Sequence, residues 1–123
     1  MSDPHDPVLR AVPRREDINS NGHIFGGWIL SQMDIAAGIT AGRRAKGPVA
    51  TVAVDAMKFL RPILMGDVLS IYTDVQRVGR TSMAIKVEVT ALRRGQTEEL
   101  PVTEGLFTMV ALGEDHRPRP VDR

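Results

Sequence analysis

Between Ile24 and Gly42 the chain carries one formal charge, Asp34, although 25% of its residues overall are charged. A segment this apolar must be covered on most of its sides, so the remaining residues have to build something that wraps it. Local chemistry makes it a helix. Asn21-Gly22 suits a turn, Gly26-Gly27 permits a closely packed entry, and Trp28 to Ala41 contains no proline. Gly42, followed by Arg43, Arg44 and Lys46, predicts a stop with cations at the negative end of the helix dipole. On a helical wheel Gly27, Ser31, Asp34 and Gly38 form one small, polar stripe, and Trp28, Ile29, Leu30, Met33, Ile35, Ala36, Ala37 and Ile39 cover the rest. A solvated face would carry several Lys and Glu. Here one carboxylate stands among small residues that leave room beside it. A lone acid in a roomy apolar groove is a functional-site candidate, because partial desolvation makes a carboxylate a stronger base; an ordinary surface carboxylate is the competing reading.

The rest of the chain is extended. Val8 to Pro13 suits a short first strand, and Arg14 to Ser20 a charged loop. After Gly47-Pro48 the run VATVAVDAMKFL, Val49 to Leu60, alternates with β-branched residues and ends at Arg61-Pro62, where proline interrupts pairing. Met65-Gly66-Asp67 is a turn, Val68 to Val78 a strand, Gly79-Arg80 a tight connection, Thr81 to Leu92 a strand, and Pro101 to Leu112 the last strand. Residues 1–7 read as a disordered tail, 8–113 as one domain and 114–123 as a flexible, proline- and charge-rich tail. The fold class is α+β: a five-stranded antiparallel sheet curled around one long helix. Its strand edges and the polar stripe call for a second copy of the chain as cover.

At 123 residues there is room for one core and no second module. A formal charge of +1 and 4% aromatic residues argue against a nucleic-acid surface. With no cysteine there is no thiolate ligand or thiol nucleophile, and His5, His23 and His116 have no metal-ligand spacing, so no metal is expected. The start, MSDPHDP, is not a signal peptide, and the one long apolar helix is rich in Gly and Ala and holds Asp34, so no membrane span is expected and the cytoplasm is the expected location.

The runs NGHIFGGWILSQMD, TVAVDAMKFLRPILMGD and VGRTSMAIKVEV resemble the YciA-type acyl-CoA thioesterases of the hotdog fold, from about Val8 to Leu112. The resemblance implies hydrolysis of acyl-CoA to free acid and CoA, with no cofactor beyond the CoA of the substrate. It also implies sites shared between two subunits, in homodimers often gathered as trimers of dimers. Carried over by position, Asp34 matches the acidic residue that acts as general base or nucleophile, and Gly26 and Gly27 match the glycines whose amides polarise the thioester carbonyl. His23 stands where relatives usually have Asp or Asn. It either orients or protonates groups beside the thioester or satisfies hydrogen bonds of its turn. The same resemblance makes Arg61 and the hairpin Arg80-Thr81-Ser82, with Lys58 behind them, candidates for the phosphates of CoA, and adds Asn21 and Phe25 as substrate contacts.

Geometry points the same way. Gly27 and Asp34 are seven residues apart, roughly 10 Å along a helix at about 1.5 Å per residue. One carbonyl cannot meet both within one chain, whereas two antiparallel helices bring each start to the other's acid. Ser31 has no nucleophile elbow around it and reads as packing. Two other functions remain open: a β-hydroxyacyl dehydratase using His23 and Asp34, which would lack the usual proline-containing histidine loop, and a non-catalytic acyl-CoA sensor, against which the intact Asp34 argues.

Overall fold

A computed structural model describes residues 6–123; most of the expected N-terminal tail, with His5, lies outside the described residues. In chain order the elements are β1 (Leu9–Ala11), a 3-10 turn (Arg15–Asp17), α1 (Gly26–Ala45), β2 (Val49–Phe59), β3 (Val68–Val78), β4 (Ser82–Leu92) and β5 (Leu100–Ala111). The five strands form one antiparallel sheet in the order β1-β3-β4-β5-β2. This is the five-stranded antiparallel sheet with one helix expected from the alternation of β-branched residues after one apolar segment, and it is the hotdog fold that the family resemblance implies. Strand β2 does not pair with β3, the next strand in the chain. It crosses to the far side of the sheet, pairs with β5, and becomes an edge.

The helix packs on the sheet through Ile29, Met33, Ala37, Ala41 and Ala45, spaced every four residues, together with Ala36. The alanines let the C-terminal half of α1 approach the inward side chains of β3, β4 and β5, among them Leu69, Ile71, Ile85, Val87, Phe107 and Met109. The expectation of a helix enclosed nearly all round is corrected here. Gly26, Gly27, Ser31, Asp34 and Ile35 are exposed, because one sheet covers only one side of a helix.

Two boundaries also differ. Gly42 does not stop α1; the helix continues to Ala45, and Lys46 takes the left-handed conformation (φ 56°), with its amide donating to Gly42 O. Residues 114–123, expected as a flexible tail, lie against the body of the domain. Leu112 bridges to Pro118, Val121 is 3% exposed, and the Val121 amide donates to Arg80 O at 2.9 Å. Arg119 explains the docking. Its Nε, Nη1 and Nη2 donate to the carbonyls of Leu112, Pro120 and Ala45 at 3.0, 2.8 and 2.7 Å, closing the end of β5 over the C-terminus of α1.

The ladder between β2 and β5 is interrupted by a bulge. The register passes from Asp55 opposite Leu106 to Lys58 opposite Glu104, so Ala56 and Met57 share the single partner position Gly105. Ala56 has φ 53°, a left-handed backbone that a residue with a Cβ adopts at a cost. Met57 is the one half-buried residue between Thr51 and Leu60 in an otherwise exposed stretch.

Candidate active site

Asp34 lies midway along the uncovered side of α1, and β2 supplies its partner. Thr51 Oγ1 donates to Asp34 Oδ1 at 2.5 Å. The same hydroxyl lies 3.4 Å from Met109 Sδ, but its one proton goes to the carboxylate, the stronger acceptor. Oδ2 has no hydrogen bond among the described residues, so one oxygen is held and the other faces open space. These groups line a hollow of about 310 Å³ with Gly27, Leu30, Ser31, Val54 and Phe107. Its walls are largely apolar, as the stripe of small residues suggested. Its enclosure is not supplied by one chain, since Asp34 and Thr51 are both exposed.

A second hollow, about 320 Å³, lies at the start of α1 between Asn19, His23, Gly26, Ile29, Phe59, Arg61 and Thr103. The helix begins here without a capping side chain: Phe25 is the N-cap, no side chain bonds back, and no acid stands in the first turn. The first amides of a helix have no carbonyl of their own turn to meet, so those of Gly26 and Gly27 are left to bind partial negative charge. A Cβ at Gly26 would come within 3.3 Å of the Phe59 ring, whereas one at Gly27 would meet nothing within 4 Å. The first glycine therefore serves packing, and the second keeps the helix entrance open.

The loop before the helix is set by Asn19, a residue that the motifs of the sequence do not single out. Its Oδ1 accepts the amides of Asn21 and His23 at 2.9 and 3.2 Å, and its own amide donates to His23 O at 2.7 Å. An asparagine two residues before Asn-Gly was the available signal, since such side chains commonly bond the backbone two residues on. His23 borders the helix-start hollow with its side chain exposed, while Asn21 borders neither hollow. Phe25 is 49% exposed beside them.

The candidate phosphate ligands spread more widely. Arg61 borders the helix-start hollow, where its Nη1 donates to Pro101 O at 2.6 Å. Lys58 lies on a shallow outer groove with Lys86 and Glu104. Arg80, Thr81 and Ser82 form the β3–β4 hairpin, whose carbonyls at Arg80 and Thr81 accept from Val121 and Ala111. Within one chain, then, Gly27 and Asp34 border one hollow two turns of α1 apart, Gly26, His23 and Arg61 border the other, and the hairpin borders neither. Asp67 is a turn residue as expected: it is buried, and its Oδ2 accepts the Leu64 amide at 2.9 Å. Among the described residues no cluster of three or more His, Cys, Asp or Glu could hold a metal ion, and no helix is long and apolar enough to cross a membrane.

Comparison with known proteins places these features in a family. The model of the Thioesterase superfamily matches residues 21–98, from the turn before α1 to the loop after β4. The acyl-CoA thioester hydrolase YciA of Salmonella typhimurium is 43% identical over 117 residues, covering 93% of this chain and 88% of the relative. Among solved structures, HI0827, a hexameric broad-specificity acyl-coenzyme A thioesterase solved as an aspartate-to-alanine mutant, superposes with a TM-score of 0.91 at 42% identity, over 95% of this chain and 86% of that one. An acyl-CoA hydrolase from Staphylococcus aureus, solved with butyryl coenzyme A and coenzyme A, superposes with a TM-score of 0.86 at 28% identity, over 91% and 68%.

Proposed function

The chain belongs to the thioesterase superfamily, and from that membership we propose that it hydrolyses acyl-CoA thioesters to the free acid and CoA through the carboxylate of Asp34. The observation that carries this reading is the Thr51–Asp34 hydrogen bond at the mouth of an apolar hollow. It leaves one carboxylate oxygen oriented and the other available. As a general base, Asp34 takes a proton from water as the water oxygen attacks the thioester carbon. The carbonyl electrons become an oxyanion held by the Gly26 and Gly27 amides. Collapse breaks the C–S bond, and the departing CoA sulfur takes the proton from Asp34. As a nucleophile, Asp34 would attack the same carbon, expel CoA and form an anhydride that water then opens. His23, beside the helix-start hollow, is placed to orient the water or the thioester.

The amides and the carboxylate belong to different subunits in this reading. What supports it is the uncovered surface: β2 is an edge strand, Val52 is 58% and Ile35 is 48% exposed, and both lie beside Asp34 and Thr51. A second copy related by a two-fold axis would extend the sheet through β2, cover α1, and set each helix start against the other's Asp34. Three such dimers make the hexamer, the assembly described for HI0827. Arg61, Lys58 and the Arg80-Thr81-Ser82 hairpin are assigned to the phosphates of CoA, and Asn21 and Phe25 to the rim through which CoA enters. The reaction needs water and no cofactor, and the cytoplasm, which holds acyl-CoA, is the setting it fits.

Release of free thiol from a panel of acyl-CoAs tests the activity; no release from any member overturns it. The shared site is tested by exchange of subunits between Asp34→Asn and Gly27→Pro. Proline is tolerated in the first helical turn, and the space beside Gly27 is open, so the second variant should fold. With random pairing half the dimers are mixed and each has one intact site, so activity should recover to about a quarter of the unmutated level. No recovery from two folded, exchanged variants places each site within one chain.

Thr51→Val keeps the shape of the side chain and removes the hydroxyl. It is expected to lower kcat about tenfold with little change in KM, since a freed carboxylate spends less time in the productive orientation. An unchanged kcat would show that Asp34 needs no such support.

A further inference from the structure

Met57 stands between the two hollows. On β2 the Asp34 hollow is walled by Val54 and the helix-start hollow by Phe59; opposite them on β5 stand Phe107 and Thr103. Midway lies the bulge, where Ala56 and Met57 face the single residue Gly105. The Met57 thioether fills the space a side chain at position 105 would occupy: a Cβ built on Gly105 would overlap Met57 Sδ and lie 3.6 Å from Met33 Cε. The space over Gly105 is thus filled by one flexible side chain from β2, with Met33 of α1 reaching the same space.

We propose that Met57 is a movable partition that sets the length of acyl chain the enzyme accepts. The inference rests on the thioesterase reading and gives it a specificity determinant. Seated over Gly105, the thioether confines an acyl group to a single hollow. Rotated away from Gly105, it opens the space beneath α1 to a longer acyl group held in the Asp34 hollow. Three features suit it to that motion. Methionine has an unbranched, polarizable side chain that fills irregular gaps in several rotamers. Gly105 offers no Cβ to trap it. The left-handed backbone at Ala56 turns Met57 inward from an otherwise exposed strand, so its inward placement is set by the bulge and not by the regular alternation of β2. Strained residues of this kind concentrate at clamps and switches.

The partition predicts opposite effects from two substitutions, read as the ratio of kcat/KM for palmitoyl-CoA to that for butanoyl-CoA. Met57→Ala removes the wall and should raise the ratio about tenfold or more, as one or a few methylenes in an apolar pocket do. Met57→Ile keeps comparable bulk but stiffens the side chain at its branched Cβ, so the wall stays shut and the ratio should fall by a similar factor. A residue that merely filled core would lower both substrates together in both variants. Ratios within about twofold of the unmutated protein in the folded variants overturn the partition. If Met57→Ala does not fold, an unchanged ratio in Met57→Ile overturns it alone. Failure of the unmutated protein to release CoA from either substrate overturns the thioesterase reading and this inference with it, an outcome distinct from active variants with unchanged ratios.

Discussion

Asp34→Asn should leave the fold and CoA binding intact and reduce acyl-CoA turnover by about 10²-fold or more, the usual contribution of a positioned base or nucleophile. The substitution isolates chemistry from shape. Asparagine is nearly isosteric and its side-chain oxygen still accepts from Thr51 Oγ1, so the contact that orients Asp34 at 2.5 Å survives. What is lost is the capacity to take a proton from water or to attack the carbonyl. The side chain is exposed in the single chain and makes no core contact, so melting behaviour should not change. The measurement is kcat by thiol release, with CoA affinity by calorimetry as the control. Turnover within a few-fold of the unmutated protein would remove Asp34 from the mechanism.

Arg119→Met should be the most damaging substitution outside the site. Arg119 is 9% exposed, and its three guanidinium nitrogens each donate to a backbone carbonyl, at Leu112, Pro120 and Ala45. A hydrogen bond to a charged group contributes about 1.5–3 kcal/mol, and an acceptor left buried without a donor costs about 1–3 kcal/mol. Methionine matches the length of the side chain and supplies no donor, so a loss of about 3–5 kcal/mol is expected. Thermal unfolding at fixed protein concentration should fall by about 10 °C or more. Arg119→Lys should rescue only part of this, because one ammonium group cannot span three carbonyls on different segments. Gly47 belongs to the same device: a Cβ there would lie 2.8 Å from Arg119 Nη2, so Gly47→Ala should reproduce a weaker form of the defect. Melting unchanged by Arg119→Met would mean that residues 114–123 do not hold the end of α1.

Much of the fold was legible because it is written in local periodicity. Three of the long strands begin and end within one or two residues of where alternation of β-branched and polar side chains predicts, and β3 spans the expected Val68 to Val78. The helix was legible from its apolar run without proline, and Asp34 from its isolation on that run. The helix end was misplaced. Gly42 is a common stop signal, but the Ala45 carbonyl beyond it is satisfied by Arg119, a residue more than seventy positions away.

What sequence by itself determined here is which residues pair off with the periods of helix and strand, and which one acid stands where acids are scarce. These are properties of single segments, decided by side-chain burial and backbone sterics. The tertiary structure alone decided that β2 crosses to the edge beside β5, that Thr51 reaches Asp34, that Ala56 and Met57 crowd one glycine, and that the last ten residues dock. Each is a meeting of segments far apart in the chain. Its free energy depends on register and on partners that no local window contains, so periodicity cannot report it.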